Sequence, residues 1–243
     1  MGLTPRFFLG FGCNFTRYVE ICYLELLKTP GKGPKSTFKF SPHNSFAKWK
    51  IIDKSNVPKK GGCIFIANHI HELDPPLVLA SIPRQTRPMA KNELFKIPFI
   101  GWFFRAYGAF PVKRFSADTK TMMVAKRIIK NGKPILMFPE GTRSKDGKLK
   151  KGYPGAAMLA MLAECAIVPV GITGTQKLTK MKMLRGFFMN RRPILTITFG
   201  KMFYLSTDKI DANAAREGTE VMMKKLAEIL PKNYQGEYEN KIQ

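Results

Sequence analysis

A histidine and an aspartate after one apolar run have the residue types and the spacing of a general base with its partner. Residues 64–67 are apolar throughout; the chain turns polar at Asn68 and His69, and Asp74 lies five positions after His69. A carboxylate bonded to one ring nitrogen of an imidazole fixes its tautomer and leaves the other nitrogen free to accept a proton. No serine or cysteine adjoins His69, so the hydroxyl that loses its proton would belong to a substrate.

The same residues also have an ordinary structural interpretation. Asp74 stands directly before Pro75 and Pro76. Aspartate followed by proline is typical of a helix start, because the carboxylate accepts from free N–H groups and proline suits the first turn. His69 and His71 would then be turn residues. Two residue types at one spacing are a weak motif, so other stretches must decide between the base and the helix cap.

A second stretch, directly after another apolar strand, has the parts of a phosphate cradle. Gly141 offers a backbone N–H, Thr142 a hydroxyl and Arg143 a guanidinium, which are groups that bind phosphate. Glu140 would repel a phosphate, so we expect its carboxylate to hold Arg143 or Lys91 in place. The alternative is a plain Pro-Glu-Gly turn with a surface arginine.

Two further cations follow predicted strands. Lys91 comes directly after a strand predicted over residues 86–90, and Arg114 ends a strand predicted over residues 108–114. Ligands of α/β sheets bind at the carboxyl ends of the strands. We therefore expect Lys91, Arg114 and Arg143 to form an anion pocket within reach of His69.

Apolar runs alternate with helical patterns along the chain, which predicts an α/β fold with a mixed, mostly parallel sheet flanked by helices. The other strands are predicted over residues 49–52, 134–138, 167–172 and 194–200, and helices over 75–81, 119–130, 155–165 and 211–230. In the helix over 119–130, the inward face is predicted to hold Met122, Met123, Ile128 and Ile129. The apolar segment 95–104 is interpreted as core, with a lipid-contacting surface or an acyl-chain pocket as alternatives.

The charge of the chain indicates a polyanionic partner. Its 243 residues include 41 Lys and Arg against 17 Asp and Glu, a formal net charge of +24. An anionic membrane, nucleic acid or phosphorylated metabolites would satisfy this charge. The four cysteines are scattered, which predicts free thiols in a reducing compartment.

Residues 1–48 are predicted to form an N-terminal helical motif on the membrane surface, and residues 49–243 the α/β domain. Apolar residues recur at helical spacing from Phe7 to Leu26, and lysines follow from Lys28 to Lys39. This pattern is typical of an interfacial helix, while docking on the protein's own domain is the alternative. No apolar run reaches the ~18 to 20 residues that a membrane-spanning helix needs.

Four ordered blocks of the chain resemble those of the glycerolipid acyltransferase family. They are H-x4-D (69–74), G-A-F-P-V-K-R (108–114), F-P-E-G-T-R (138–143) and V-P-V (168–170). The chain is most similar to the 1-acyl-glycerol-3-phosphate acyltransferases. The resemblance implies acyl transfer from acyl-CoA or acyl carrier protein to lysophosphatidic acid. It further implies association with the cytoplasmic face of an anionic membrane, no cofactor or metal, and no nucleic-acid partner.

The resemblance also assigns roles to residues. It implies that His69 is the general base and Asp74 its orienting partner. The substrate-binding positions would be Lys91, Gly108, Arg114, Glu140, Gly141, Thr142 and Arg143. The chain departs from the family at His71, where members often have serine, and this departure affects the expected acceptor and the helix cap.

Other functions remain open. Within the family, the acceptor could be glycerol 3-phosphate, another lysophospholipid or a lipopolysaccharide precursor. A metal-dependent hydrolase would use His69, His71, Glu72 and Asp74, but it needs further histidines downstream, and the chain's other histidine, His43, lies upstream. A non-enzymatic basic membrane-binding protein would explain the charge but not the four blocks.

Overall fold

The computed structural model describes residues 47–97, 100–106, 108–112, 119–178, 193–205 and 209–241. Its strands are β1 (Lys48–Ile52), β2 (Cys63–Ala67), β3 (Arg87–Lys91), β4 (Phe110–Val112), β5 (Ile135–Met137), β6 (Ala166–Thr173) and β7 (Ile194–Phe199). Its α-helices are α1 (Asp74–Ser81), α2 (Ile100–Ala106), α3 (Thr119–Lys130), α4 (Gly155–Ala163), α5 (Ala212–Glu228) and α6 (Lys232–Gln235).

The strands form one seven-stranded sheet in the order β1-β7-β6-β2-β5-β3-β4. Neighbouring strands run parallel, except that β6 and β7 are antiparallel. The central strand β2 is buried along its whole length, as expected for a parallel strand covered on both faces. The predicted α/β fold with a mixed, mostly parallel sheet is confirmed.

The direction of the strands determines where the polar loops meet. Strands β2, β5, β3 and β4 are consecutive in the sheet and all parallel. The loops after β2 and β5, which carry His69 and Glu140, therefore leave the same edge of the sheet from adjacent strands. Lys91, the last residue of β3, lies at that edge too. We call this edge, where β2, β5 and β3 end, the carboxyl edge.

Apolar residues pack on both faces of the sheet. On one face, α3, α4 and α5 cover Ile64, Ile135 and Ile167. On the other, α1 packs near Phe65, Val168 and other buried side chains. Helix α4 is rich in alanine, and its small side chains let it lie close to the sheet and to α5. The core therefore holds the two adjacent strands β2 and β5 rigidly behind the polar loops.

One prediction about apolar side chains is wrong and a second holds only in part. Met123 was predicted to point inward, but it is 58% exposed, because the buried stripe of α3 runs through Ala125 and Ile129 and position 123 falls off it. The apolar segment 95–104 was interpreted as core. Phe95 is buried, but Ile97 and Trp102 are 43% and 57% exposed.

The structure describes the C-terminal end of the chain but not the N-terminal end. Residues 1–46 of the predicted N-terminal motif lie outside the described residues, so the motif and its boundary stay predictions. At the other end, Tyr238 is fully buried after α6. Among the described helices, none is both long enough and apolar enough to cross a membrane.

Candidate active site

The His69 ring is held by the carboxylate of Asp74. Asp74 Oδ2 lies 3.0 Å from His69 Nδ1 and also accepts the backbone N–H groups of Ile70 at 2.7 Å and His71 at 2.6 Å. The Asp74 side chain is fully buried, while that of His69 is 12% exposed. One carboxylate oxygen therefore orients both the ring and the loop around it, and Nε2 remains as the ring nitrogen for a substrate proton.

Asp74 is not an ordinary helix cap. The cap position of α1 belongs to Leu73, Asp74 is the first helical residue, and no side chain caps the helix. The carboxylate bonds to residues before it in the chain, not to the N–H groups of the following turn. Of the two interpretations of this aspartate, the geometry favours the partner of His69.

Three more contacts hold His69 in place. Its backbone N–H donates to Glu140 Oε1 at 2.8 Å, and its carbonyl accepts the Ser144 N–H at 2.7 Å. The Phe138 ring lies against the imidazole, with 4.4 Å between ring centroids. The loop after β5 therefore fixes both the backbone and the ring plane of His69.

Glu140 has a different role from the one predicted. It is 2% exposed, and its second oxygen accepts the Lys150 N–H at 3.1 Å. Burial raises the pKa of Glu140 to about 7, and the N–H donors of His69 and Lys150 partly oppose that rise. The predicted hold on Arg143 or Lys91 is wrong, since both carboxylate oxygens bind backbone N–H groups. Glu140 joins the two loops and is too enclosed to bind a substrate directly.

Gly141 also differs from its predicted role. Its backbone N–H, expected to bind phosphate, donates instead to the Phe138 carbonyl at 3.0 Å. Its φ of +67° lies in the left-handed region, which glycine adopts without strain. Gly141 is thus required for the tight turn that carries the chain from β5 to Thr142 and Arg143.

Arg143 lies beside the loop that contains His69. Its guanidinium forms an ion pair with Glu72, which lies between His69 and Asp74 in the chain. The side chains of Arg143 and Glu72 are 51% and 37% exposed. The structure therefore brings the third block of the sequence to the first, with a guanidinium at the solvent side of the His69 loop.

The remaining predicted anion-binding residues are not all at this place. Lys91 lies at the carboxyl edge, and its Nζ is 3.5 Å from Glu93 Oε1. Its strand β3 is two strands away from β2, which corresponds to a separation of about 10 Å. Gly108 lies level with Arg87 at the opposite edge, roughly 15 Å or more along the strands from His69. The structure does not bring Gly108 to His69. Arg114 lies outside the described residues.

Comparison with known proteins decides the family. The family model described as Acyltransferase matches residues 48–173, about half of the chain, and this span includes all four blocks. The chain belongs to the acyltransferase family. The resemblance of its four blocks is thereby confirmed.

Relatives of this acyltransferase carry a more specific name. The chain is 32% identical over 136 residues to the 1-acyl-sn-glycerol-3-phosphate acyltransferase BAT2 of Brassica napus. This match covers 55% of the chain and 39% of that protein. The chain is also 32% identical over 145 residues to the 1-acyl-sn-glycerol-3-phosphate acyltransferase of Bacillus subtilis, covering 56% of this chain and 71% of that one. The match thus spans well under half the length of the plant relative.

A solved structure shares the fold of this acyltransferase. The 1-acyl-sn-glycerophosphate acyltransferase PlsC of Thermotoga maritima superposes with a TM-score of 0.57 at 24% identity, over 76% of this chain and 73% of that one. The likeness supports the observed α/β architecture.

Lys150 is a cation of the candidate site that sequence reasoning missed. Its Nζ donates to Thr142 Oγ1 at 3.3 Å and to the Arg143 carbonyl at 3.0 Å, and its N–H binds Glu140. Lys148, Lys150 and Lys151 look alike in sequence. Nothing in their pattern distinguishes the one that folds back onto the turn.

Asn68 is a second residue that sequence reasoning missed. Its side chain is buried, accepts the Ile172 N–H at 2.7 Å and donates to the Ile172 carbonyl at 2.9 Å. It therefore ties the end of β2 to β6 one residue before His69. A polar residue directly after five buried ones was the available signal.

His71 is a turn residue of the His69 loop. Its Nδ1 accepts the Leu73 N–H at 3.2 Å, and it has a hydrogen bond with the Leu178 backbone. Burial lowers the pKa of His71, although the carboxylates of Asp74 and Glu72 oppose this. Among the described residues, no group of three or more His, Cys, Asp or Glu side chains is arranged to hold a metal ion.

Proposed function

We propose that this acyltransferase moves a fatty acyl chain from a thioester, acyl-CoA or acyl carrier protein, to the free hydroxyl of 1-acyl-glycerol-3-phosphate, giving phosphatidic acid. The observation that carries the proposal is the bond between His69 Nδ1 and Asp74 Oδ2, with the Arg143 guanidinium beside the same loop. Two relatives named 1-acyl-sn-glycerol-3-phosphate acyltransferase support the acceptor.

In the proposed reaction, His69 acts as general base and then as general acid. Nε2 takes the proton from the acceptor hydroxyl while its oxygen forms a bond to the thioester carbonyl carbon. The tetrahedral intermediate then collapses, the C–S bond breaks, and the imidazolium returns the proton to the leaving thiolate. Asp74 keeps the ring in the required tautomer and stabilises the imidazolium.

Arg143 is proposed to bind the phosphate of the acceptor. Its ion pair with Glu72 is exposed on both sides, and such surface pairs contribute only about 0 to 1 kcal/mol. A phosphate can therefore displace Glu72, because a guanidinium pairs with phosphate oxygens in a bidentate, charge-assisted arrangement. Thr142, Lys91 and Arg114 are proposed to contribute to the same anion pocket.

The basic test is acyl transfer by the purified full-length chain on vesicles that contain 1-acyl-glycerol-3-phosphate. Acyl-CoA and acyl carrier protein thioesters are compared as donors. Glycerol 3-phosphate and a choline lysophospholipid are compared as acceptors. A higher kcat/KM for either of these two acceptors would contradict the proposed substrate, while keeping an acyltransferase of the same family.

Replacement of Arg143 by alanine is expected to raise the KM for 1-acyl-glycerol-3-phosphate by roughly 10- to 100-fold, with a smaller effect on kcat. A hydrogen bond to a charged group contributes about 1.5 to 3 kcal/mol, which is the physical basis of this range. Steady-state kinetics with acceptor varied at saturating donor measures the change. The matched control is Lys145→Ala, which removes an exposed cation two residues away. Equal KM values for the two variants would rule out the assignment of Arg143.

We also propose that the enzyme associates with the cytoplasmic face of an anionic membrane, where its lipid acceptor resides. The net charge of +24 favours such a surface. Trp102 and Ile97 are exposed apolar side chains, and the cations Lys96 and Arg105 lie near them in the chain. Tryptophan with neighbouring basic residues is typical of a segment that enters the headgroup region.

Replacement of Trp102 by alanine is expected to weaken vesicle binding roughly tenfold or more. About 100 Å² of exposed ring surface would enter the lipid, which corresponds to about 2.5 kcal/mol. Co-sedimentation with anionic vesicles measures the affinity, and Tyr204→Ala, at another exposed aromatic residue, is the control. In a Trp49→Phe variant, where Trp102 is the single tryptophan, emission should also shift to shorter wavelength with vesicles. Unchanged binding and emission would contradict this contact.

A further inference from the structure

A cavity at the opposite edge of the sheet has no role in the proposed reaction. Its volume is about 540 Å³, and the described residues that line it are Arg87, Arg105, Gly108, Ala109, Phe110, Val124, Arg127, Ile128 and Asn131. Arg87 begins β3, so the cavity lies at the end of the strands away from Lys91 and the carboxyl edge. We call it the three-arginine cavity. Its distance from His69 along the strands is roughly 15 Å.

The charge of the three-arginine cavity is of one sign. Of the lining residues that the structure describes, three are arginines from different elements and none is acidic. In the part of the chain that the structure describes, no ion pair joins Arg87, Arg105 or Arg127 to a carboxylate. Like charges that converge on one concave surface repel one another unless an anion lies between them.

Arg87 carries the strongest indication of a ligand. Its Nε is buried and finds no hydrogen-bond partner among the described residues. A buried N–H without a partner costs about 1 to 3 kcal/mol, so a retained one calls for an explanation, such as an ion or a ligand. Gly108, with φ of +73°, is a neighbour of this side chain, since a Cβ built on it would lie 3.5 Å from Arg87 Nε, an ordinary van der Waals distance.

A neighbouring arginine shows what a structural guanidinium looks like in this protein. Arg84 donates to the carbonyls of Pro58, Gly61 and Gly132, which bind its side chain to two loops, the one before β2 and the one before β5. Arg105, by contrast, has one hydrogen bond within the described part of the chain, to the Phe95 carbonyl at 3.1 Å. The guanidinium groups of the three-arginine cavity thus have N–H groups that do not donate to any described carbonyl of the protein.

The cavity fits a phosphorylated ligand with an apolar part. Arginine pairs with phosphate oxygens through two parallel N–H bonds. Phe110, Val124 and Ile128 supply an apolar wall next to the arginines. The volume lies within the range of about 300 to 1,000 Å³ that is usual for small-molecule sites.

We propose that the three-arginine cavity is a second anion site, which binds a phosphate group through Arg87, Arg105 and Arg127. Binding there uses none of the residues assigned to acyl transfer, so it does not depend on the proposed reaction. The phosphate belongs either to the headgroup of a phospholipid or to a soluble phosphate compound. Val124 is 46% exposed at the cavity, which leaves room for the apolar part of a lipid.

The first experiment maps arginine reactivity in the full-length wild-type protein. Phenylglyoxal modifies arginine, and peptide mass spectrometry gives the rate at each position with and without inorganic phosphate. At about ten times Kd, phosphate should lower the rates at Arg87 and Arg127 roughly tenfold, because only the unoccupied protein reacts. Potassium chloride at the same ionic strength should leave those rates unchanged. Equal protection by chloride, or no protection by phosphate, would overturn the proposal.

The source of the phosphate is distinguished by a lipid arm of the same experiment. Vesicles of phosphatidylcholine with phosphatidic acid are compared with vesicles of phosphatidylcholine alone. Protection by the phosphatidic acid vesicles as well as by inorganic phosphate assigns the site to a lipid headgroup. Protection by inorganic phosphate but by neither vesicle assigns it to a soluble compound.

A second experiment tests the arginines by substitution. In an Arg143→Ala background, which removes the guanidinium at the carboxyl edge, Arg87→Gln with Arg127→Gln should weaken phosphate binding at least about tenfold in calorimetry. Lys133→Gln removes an exposed cation near the cavity that does not line it, and it should bind phosphate as its parent does. Equal affinity of these two proteins would also overturn the proposal.

Discussion

Replacement of His69 by alanine is expected to lower kcat for acyl transfer by about 10²- to 10⁴-fold, the usual contribution of a general acid–base group. The methyl group cannot take the hydroxyl proton or return it to the thiolate. The proposed binding of the acceptor phosphate by Arg143 should remain, so the KM for the acceptor should change little. Single-turnover acyl transfer at saturating acceptor measures the loss without interference from product release.

His71→Ala is the matched control, because it removes the neighbouring histidine of the same loop. His71 binds the backbone of Leu73 and Leu178, and nothing in the proposed reaction passes through it. Its loss should therefore cost far less than that of His69. If His69→Ala turned over substrate as fast as His71→Ala, the assignment of the general base would be wrong.

Asp74 provides a further check, because its effect should pass through His69. In Asp74→Asn, the group that holds Nδ1 and two loop N–H groups loses its charge, and the ring loses its fixed tautomer. Residues that act as a unit have non-additive effects on kcat. The double variant His69→Ala, Asp74→Asn should thus be no slower than His69→Ala alone, whereas multiplied losses would indicate independent roles.

Local sequence patterns predicted the fold because they depend on burial along single elements. The apolar run of β2 and the small-residue pattern of α4 each reflect how one segment packs against the sheet. The wrong prediction that Met123 faces inward shows the limit of this reasoning. On a helix, one position decides which side a residue faces, and the stripe through Ala125 and Ile129 excludes Met123.

The parallel order of the strands explains why the sequence alone could predict that the first and third blocks lie close together. β2 and β5 are neighbours and run in the same direction, so their following loops must meet. The partner of each loop atom depends on how residues 138–153 fold back, which no local pattern encodes. For this reason, two sets of hydrogen bonds could not be predicted. The Gly141 N–H donates to the Phe138 carbonyl, and both Glu140 oxygens accept backbone N–H groups. Gly108 was misplaced because it precedes its strand, at the edge away from His69.

Replacement of Glu140 by glutamine is expected to lower kcat by roughly 10²-fold, although the side chains have nearly the same shape. The carboxylate accepts N–H groups from both His69 and Lys150. An amide offers one oxygen, so its NH₂ group must face the other N–H, and one loop moves. Small displacements of a catalytic group can cost about this much. Glu217→Gln, at an exposed position on α5, is the control and should retain wild-type kcat.

The stability difference between Glu140→Gln and the wild type should change with pH, because the wild-type carboxyl group titrates and the amide does not. Because burial raises the pKa of Glu140 from 4.5 to about 7, the folded protein holds a proton that the unfolded chain releases between these values. The free energy of unfolding of the wild type therefore falls as pH rises through this window, by up to about 3 kcal/mol from this group. Glutamine does not titrate, so the variant lacks this loss.

Urea unfolding at about pH 5 and about pH 8 measures this change. From the lower to the higher pH, the free energy of unfolding of Glu140→Gln should rise relative to that of the wild type by up to about 3 kcal/mol. Glu217→Gln should follow the wild type at both pH values. A pH-independent difference would contradict the buried, titrating carboxylate. A variant that gains stability relative to the wild type at higher pH, yet transfers acyl groups more slowly, would mean that the ionised Glu140 is kept for the geometry of the His69 loop at a cost in stability.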